Sequence, residues 1–175
     1  MSIGISDICF VISHGKEAIP EYFVHDPNLE AVLAKKGKLD AISDLVRYHE
    51  VHFHVVYQEE QLGDGHAILQ AADWIKSEHV AILFGDDLVV HEKNGMGQLV
   101  EAMTQVPDAE RATGAMLCLQ NLPREEVSKY GVVSPLSQHG RLVRVQGLVE
   151  KPKPEDAPST LGIVGKYLIP RSEEH

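Results

Sequence analysis

Two adjacent carboxylates follow an apolar segment directly. Asp86 and Asp87 come after AILFG in the stretch AILFGDDLVVHE, and Gly85 permits a sharp turn before them. If the apolar segment is a strand of a parallel sheet, both carboxylates lie at its carboxyl end, where such sheets bind ligands. Carboxylate oxygens suit Mg²⁺, which proteins hold through one or two carboxylates together with phosphate oxygens. A turn that only ends the strand explains this stretch equally well when it is taken alone.

A second charged pair ends another apolar segment. Glu150 and Lys151 stand in VEKPKPE, with two prolines just beyond them. A carboxylate accepts hydrogen bonds from sugar hydroxyls, and an ammonium offsets the charge of a phosphate. Because neighbouring residues of a strand point to opposite faces, the chain must bend here for both side chains to reach one ligand. A solvated charged loop is the alternative.

Three glycines mark two further candidate sites. Gly63 and Gly65 precede a segment with helical spacing in VVYQEEQLGDGHAILQAADWI. Such a pair fits either a tight turn or the binding of a nucleotide. A dinucleotide fingerprint is excluded, because Ile68 stands where the third glycine belongs. Gly131, in KYGVV, precedes a strand-like segment and is open to a structural or a functional interpretation.

Three histidines are also candidates for metal ligands. His49 precedes an apolar segment in which His52 and His54 alternate onto one face of a predicted strand. Neither a cysteine nor a carboxylate is spaced to complete a metal site with them. Surface histidines are therefore the simpler interpretation.

Composition limits the kinds of partner. The 175 residues are 43% hydrophobic and 24% charged, which is ordinary for one globular domain, and a net charge of -10 disfavours nucleic acid and anionic membranes. Both cysteines, Cys9 and Cys118, lie in apolar segments and predict no disulfide framework. No apolar stretch approaches the roughly 20 residues that span a bilayer, and no basic and apolar leader begins the chain. We therefore expect a cytoplasmic protein.

Helix-like and strand-like segments alternate along the first two thirds of the chain. Predicted strands at 7–12, 51–57 and 79–84 alternate with segments of helical spacing at 28–49, 65–75 and 96–103. This alternation predicts a parallel sheet covered by helices on both faces. From about residue 112 onward the chain becomes strand-rich, which predicts added antiparallel or mixed strands. No repeat or low-complexity linker divides the chain, so we expect one domain.

Taken together, five motifs carry a family resemblance. They occur in the order QxxxxGxGHA (58–67), LFGDD (83–87), KYGVV (129–133), VEKPKPEDAPS (149–159) and GIVGKYLI (162–169). The chain resembles bacterial UTP-glucose-1-phosphate uridylyltransferases over nearly all of its length, and it is more distantly similar to glucose-1-phosphate thymidylyltransferases. The resemblance implies a three-layer α/β/α, Rossmann-like nucleotidyltransferase fold with a mixed, mostly parallel sheet.

The resemblance also implies a reaction and its ligands. The family makes UDP-glucose and pyrophosphate from UTP and glucose 1-phosphate with Mg²⁺, by in-line attack of the sugar phosphate on the α-phosphorus of UTP. Gln58 would read the edge of the uracil, Gly63 would let the base lie against the backbone, and Gly65 would belong to the same nucleotide-binding loop. We expect the intact enzyme to be a homo-oligomer.

The remaining roles fall on the second half of the chain. Gly131, Glu150 and Ile163 would contact the sugar, and Lys151 would meet the phosphate on the sugar side. Asp86 matches the family's metal-binding aspartate, whereas Asp87 stands where the family varies. Lys151 and Asp86 are thus the expected catalytic residues.

The chain departs from the family at several points. The glycine-rich loop G-x-G-T-R, the lysine that follows it, a second metal-binding aspartate and the C-terminal part have no match, so the 175 residues are expected to be a truncated domain that is inactive alone. Asp64 replaces a usually apolar residue and alters the predicted base pocket. The alternatives are a non-catalytic sugar-nucleotide-binding or regulatory module, a thymidylyltransferase relative, and a metal-assisted hydrolase that uses Asp86 and Asp87.

Overall fold

The computed structural model describes residues 4–24, 26–46 and 48–171, with the backbone alone for residues 44 and 45. The chain divides into two compact units, Met1–Lys76 and Ser77–His175. The prediction of one domain over residues 1–175 stays a prediction.

The first unit is built on two parallel strands. Strand β1 (Asp7–Ile12) pairs with β2 (His52–Tyr57), with Asp7 opposite His52 and Ile12 opposite Tyr57. Both predicted strands and their parallel direction are confirmed. The helices of this unit are α1 (Ala18–Glu21), α2 (Pro27–Lys35), α3 (Leu39–Val46) and α4 (Asp64–Gln70), and a 3₁₀ turn follows at Ala72–Trp74.

The helical segment predicted over 28–49 is two helices. Its start is well specified, because the Asp26 carboxylate accepts hydrogen bonds from the amides of Asn28 and Leu29 and Pro27 occupies the first turn. Its interruption is equally local, because Gly37 has a φ of 68°, a left-handed conformation that ends a helix. Helical spacing on both sides of this glycine concealed the break.

Aromatic rings form the packed centre of the first unit. Phe10 of β1 and Phe53 of β2 have their ring centroids 5.7 Å apart, and Phe23 packs against both at 5.4 and 5.3 Å. Tyr48 approaches Phe23 edge-on at 5.1 Å. Aromatic pairs of this kind contribute about 0.5–1.5 kcal/mol each beyond their buried area. They join the parallel strands to the segments on either side of α2 and α3.

The second unit contains a five-stranded antiparallel sheet. Its strands are β3 (His79–Leu83), β4 (Met116–Asn121), β5 (Gly131–His139), β6 (Leu142–Glu150) and β7 (Leu161–Pro170). Its helices are α5 (Gly95–Met103) and α6 (Asp108–Arg111), with a 3₁₀ helix at Arg124–Lys129. No helix in the described part of the chain is both long and apolar enough to cross a bilayer.

Strand β7 is the organising element of this sheet. It pairs with β3, β4 and β5, while β6 pairs with β5. The register between β4 and β7 shifts between Leu117 and Cys118, so β7 is bulged around residues 165 and 166. Bulges of this kind often adjoin functional sites, because they redirect side chains.

The α/β class and the mixed pairing of strands are confirmed, but the balance of strand directions differs from the expectation. Among the described strands the parallel pairing is that of β1 with β2, and the pairings in the second unit are antiparallel. The apolar segment 79–84 correctly predicted a strand. Its neighbour, β7, comes about 80 residues later and runs the opposite way. An unbroken apolar segment is typical of a parallel strand but does not identify its neighbour, which here is antiparallel.

A small apolar core fixes the surroundings of the later motifs. Leu122, Val127, Val132 and Ala157 form one buried cluster, and Tyr130 packs against it. Full burial of a valine side chain contributes about 1.5–3 kcal/mol. This core is close in sequence to the candidate residues. Tyr130 comes directly before Gly131, and Ala157 belongs to the loop that follows Lys151.

Candidate active site

The end of β6 bends sharply at Lys151. This residue has a φ of 45°, a left-handed conformation that costs a non-glycine residue about 1–2 kcal/mol. Its amide donates a hydrogen bond to the carbonyl of Tyr130 at 3.0 Å, which anchors the bend. As a result the two neighbouring side chains lie together, with Lys151 Nζ 3.4 Å from Glu150 Oε1. The bend that a shared ligand requires is therefore present.

Gly131 and Ile163 complete a cluster around this pair. Gly131 lies opposite Glu150 in the β5–β6 ladder. A Cβ atom added to Gly131 would lie 3.1 Å from Glu150 Oε2 and 3.3 Å from Ile163 Cδ1. We refer to Gly131, Glu150, Lys151 and Ile163 as the sugar cluster. The side chains of Glu150 and Lys151 are 73% and 63% exposed, so their charged ends remain accessible to a ligand.

Asp86 and Asp87 have different surroundings in the acidic turn, residues 84–87. The Asp87 carboxylate accepts a hydrogen bond from the Gly165 amide at 2.6 Å. Asp86 is exposed, and its carboxylate has no hydrogen-bond or ion-pair partner among the described residues. Asp87 therefore joins the turn to β7, while Asp86 is available to a ligand.

The acidic turn and the sugar cluster meet the same strand. Ile163 belongs to the sugar cluster, and Gly165, two residues further along β7, binds the turn. Two residues span roughly 7 Å in an extended strand. Strand β7 thus brings five of the predicted site residues into one region of the second unit: Asp86, Gly131, Glu150, Lys151 and Ile163.

Two further residues of this region, Gly165 and Lys166, were not predicted from the sequence to belong to the site. Lys166 is buried, and its ammonium donates hydrogen bonds to the carbonyl oxygens of Phe84 at 3.1 Å, of Gly165 at 3.2 Å and of Asp87. A Cβ atom on Gly165 would lie only 2.5 Å from Asp87 Oδ2 and 2.6 Å from Phe84 Cβ. The signal in the sequence was a lysine inside the apolar segment GIVGKYLI, where an unpaired charge is not tolerated.

Lys166 also influences a neighbouring thiol. Burial raises the pKa of Cys118, and the positive charges of Lys166 and Arg141 oppose that increase. The Cys118 thiol donates to the Gly95 carbonyl at 3.6 Å. Cys118 is thus a protonated packing residue, as its apolar surroundings in the sequence indicated.

The donor set of the acidic turn fits one kind of metal binding. Within the described residues no group of three or more histidine, cysteine or carboxylate side chains is arranged to hold a metal ion. The single open carboxylate of Asp86 fits Mg²⁺ if phosphate oxygens and water supply the other ligands, which is the usual arrangement for this ion.

The predicted nucleotide residues of the first unit form a compact loop. Gln58 Nε2 donates to the Gly63 carbonyl at 3.1 Å and lies 3.1 Å from His66 Nδ1. Gly63 has φ 95° and ψ 179°, a combination that is essentially restricted to glycine, and it precedes α4. Gly65 lies within α4, and a Cβ atom there would meet nothing within 4 Å. The backbone therefore requires glycine at position 63 but not at position 65.

The three candidate histidines contact carboxylates and an aromatic ring. His49 Nε2 lies 3.0 Å from Glu30 Oε1, and His52 Nδ1 lies 3.3 Å from Asp7 Oδ1. His54 stacks on Trp74 with ring centroids 4.0 Å apart. A hydrogen bond from Ser6 holds the pKa of the Asp7 carboxyl below its ordinary value, and His52 adds to this effect.

Comparison with known proteins gives consistent results. The family profile described as nucleotidyl transferase matches residues 3–172. The chain is 36% identical over 167 residues to a UTP-glucose-1-phosphate uridylyltransferase of Bacillus subtilis (strain 168), covering 95% of this chain and 55% of that protein. A protein of the same name from Staphylococcus haemolyticus is 37% identical over 168 residues, covering 95% and 56%. The chain thus spans little more than half the length of these relatives.

The chain is also similar in fold to solved structures of UDP-glucose pyrophosphorylases. An apo UDP-glucose pyrophosphorylase is 26% identical with a TM-score of 0.81, covering 95% of this chain and 60% of that one. A UTP-bound enzyme of this kind from Acinetobacter baumannii is 30% identical with a TM-score of 0.77, covering 95% and 59%. A UDP-glucose pyrophosphorylase in complex with UDP-glucose is 27% identical with a TM-score of 0.75, again covering 95% and 59%. By the match to its family profile and the identity to its relatives, the chain belongs to the nucleotidyl transferase family.

Proposed function

We propose that the chain is part of an enzyme that transfers the uridylyl group of UTP to glucose 1-phosphate, giving UDP-glucose and pyrophosphate. The observation that carries this proposal is the convergence on β7 of the sugar cluster and the open carboxylate of Asp86. A carboxylate and an ammonium held 3.4 Å apart suit a sugar phosphate, which presents hydroxyl donors beside an anion. The names of the relatives support the same substrates.

In the proposed reaction the residues act by position and charge. A phosphate oxygen of glucose 1-phosphate attacks the α-phosphorus of UTP, the bond from that phosphorus to the bridging oxygen of the β-phosphate breaks, and pyrophosphate leaves. Lys151 offsets the charge of the attacking phosphate, and Glu150 accepts hydrogen bonds from glucose hydroxyls. Neither residue forms a covalent bond, because phosphoryl-type transfer depends on alignment and electrostatic stabilisation.

We further propose that Asp86 is the ligand that this part of the chain contributes to Mg²⁺. Asp87 is the less suitable ligand, because one of its carboxylate oxygens already accepts a hydrogen bond from the Gly165 amide. When bound, Mg²⁺ would neutralise negative charge on the phosphate oxygens during the transfer.

The uracil is proposed to bind at the loop of Gln58 and Gly63 in the first unit. The amide nitrogen of Gln58 is engaged within the loop, so its carbonyl oxygen is the atom left to accept a hydrogen bond from the N3–H of the base. The Gly65 Cα faces open space and leaves room beside the loop. A homo-oligomeric intact enzyme and a cytoplasmic location stay predictions from the sequence.

Binding to the 175-residue chain tests the proposal. Calorimetric titration with UDP-glucose in the presence of Mg²⁺ should give saturable binding, with weaker binding of dTDP-glucose and of UMP. Failure of every nucleotide to bind would contradict the proposal, and tighter binding of dTDP-glucose would reassign the chain to the thymidylyltransferase relatives.

A second measurement separates catalysis from binding. Pyrophosphate release from UTP and glucose 1-phosphate should require Mg²⁺ and should be abolished by Lys151→Ala in any form of the protein that shows turnover. Saturable binding with no release in a full-length form would favour a non-catalytic sugar-nucleotide-binding module. Hydrolysis of UTP that is independent of glucose 1-phosphate would favour a metal-assisted hydrolase.

A further inference from the structure

We infer that Lys166 is a positioning residue that holds the acidic turn, and with it Asp86, in the geometry that binds the metal and nucleotide. The inference rests on the proposed function. Lys166 does not contact the proposed ligands; it acts through the backbone that carries Asp86.

The contacts of the ammonium are the first part of the argument. Lys166 is only 7% exposed, and an ammonium has three N–H donors. All three find backbone carbonyls, those of Phe84 and Asp87 on the acidic turn and that of Gly165 on β7. The two carbonyls on the turn stand on either side of Asp86. The charge of Lys166 is thus used to fix the backbone at both ends of the segment that presents Asp86.

The reciprocal contacts come from the turn. The Asp87 carboxylate accepts from the Gly165 amide at 2.6 Å, and the Phe84 amide donates to the Gly165 carbonyl at 2.8 Å. The Phe84 ring also meets Tyr167 edge-on, with centroids 5.4 Å apart. Residues 165–167 therefore contact the turn at both Phe84 and Asp87, and Lys166 lies in the middle of this segment.

Removal of the ammonium should affect the turn more than the rest of the sheet. Without Lys166 three carbonyls each lose one hydrogen bond in a poorly hydrated environment, and each such loss is unfavourable. The carbonyls of Phe84 and Gly165 keep the bonds from the amides of Asp87 and Phe84, so the carbonyl of Asp87 is affected most. The acidic turn can regain hydrogen bonds to water by moving away from β7, whereas the paired residues of the ladder cannot. Asp86 would then occupy a range of positions, and its share in metal binding would fall.

The test compares Lys166→Met, Lys166→Arg and a matched control, Lys93→Met. Lys93 belongs to the same unit and forms a surface ion pair with Glu101 at 2.6 Å, so its loss removes a lysine without touching the turn. If Lys166→Met does not fold, Lys166→Gln, which keeps two N–H donors, replaces it. The first readout is hydrogen exchange of the peptide that covers residues 83–88, followed by mass spectrometry.

The second readout is the Mg²⁺ concentration that gives half-maximal binding of UDP-glucose. Residues that orient a metal ligand typically alter metal affinity 10- to 100-fold, so Lys166→Met should raise this concentration by about 10-fold. Lys166→Arg should restore most of the affinity, and Lys93→Met should leave it unchanged. A role in general stability alone would lower the unfolding midpoint without this selective change in Mg²⁺ dependence.

The two readouts separate the inference from the proposed function. Faster exchange at 83–88 in Lys166→Met, restored by Lys166→Arg, supports the positioning role. Unchanged exchange there, or an unchanged Mg²⁺ requirement in a variant of a nucleotide-binding chain, overturns it. If the wild-type chain binds no nucleotide, the proposed function fails, and the exchange result alone decides whether Lys166 holds the turn.

Discussion

The candidate residues of the two units are held in place by different kinds of contact. In the first unit Gln58 contacts Gly63 and His66, which are five and eight residues away in the chain. In the second unit the acidic turn is held by Gly165 and Lys166 across 78 to 82 residues. A local loop can order itself at a small entropic cost, whereas the distant contacts form only once β7 has docked.

This difference explains what a sequence can reveal about each region. Gly63 followed by a helical segment predicts its own turn, because the glycine and the helix are neighbours. The separate environments of Asp86 and Asp87 depend on a strand from the far end of the chain, which no local pattern contains. Comparison between the units therefore predicts that substitutions in the first have local effects, and that substitutions of the residues that join the acidic turn to β7 in the second affect stability and ligand binding together.

The largest effect is expected within the sugar cluster. Glu150→Gln keeps the shape of the side chain but weakens charge-assisted hydrogen bonds, each worth about 1.5–3 kcal/mol, so it should reduce the affinity for UDP-glucose while sparing that for UMP. Lys151→Ala should weaken the binding of UDP-glucose and UDP alike. Calorimetry with the three ligands measures this difference, and unchanged dissociation constants throughout would mean that the cluster is only a solvated loop end.

The next largest effect is expected on stability at Gly165, where β7 lies close to Phe84 and Asp87 of the acidic turn. Gly165→Ala should destabilise the second unit by about 1–3 kcal/mol, because the new methyl group has neither room beside Phe84 nor room beside Asp87. Gly147→Ala is the matched control, since it also replaces a strand glycine but meets its nearest neighbour, Ser134, at an ordinary 3.9 Å. Urea unfolding followed by circular dichroism compares the variants, and equal stability of the two would show that β7 does not confine the turn.

Substitutions of Gly63 and Gly65 in the first unit should change the stability of that unit and not that of the second. Gly63→Ala should cost about 1–2 kcal/mol, because its backbone conformation is nearly exclusive to glycine. Gly65→Ala should be neutral or stabilise by about 0.5–1 kcal/mol, since it lies in α4 with free space around it. Trp74, the single tryptophan of the chain, belongs to this unit and reports its unfolding by fluorescence. A reversed order of the two variants would contradict the role of position 63.

The smallest effect should distinguish the two carboxylates of the acidic turn. Asp86→Asn should weaken Mg²⁺-dependent binding of UDP-glucose about tenfold, or about 1.4 kcal/mol, with little change in stability. Asp87→Asn should lower stability by about 1 kcal/mol, because a charge-assisted hydrogen bond to Gly165 becomes a neutral one, and should affect Mg²⁺ less. Magnesium titrations and urea unfolding of both variants give the answer, and equal losses of affinity would show that the two residues act as a unit.

Much of the fold could be predicted because its signals are local. The apolar segments at 7–12, 51–57 and 79–84 are strands, and the segment at 96–103 lies within α5. Strand direction could not be predicted in the second unit, because it depends on which distant strand becomes the neighbour. The need for a bend after Glu150 followed from strand geometry alone, whereas the left-handed Lys151 that provides it could not be read from the residue type, since lysine rarely adopts that conformation.

The left-handed backbone of Lys151 also has a consequence for the evolution of this position. Glycine at this position would relieve a conformational cost of about 1–2 kcal/mol, partly offset by its greater freedom in the unfolded chain. A screen for thermal stability alone should therefore accept Lys151→Gly and discard the ammonium that faces Glu150 at 3.4 Å. Selection for stability would therefore favour glycine at position 151, and selection for the proposed function would favour lysine.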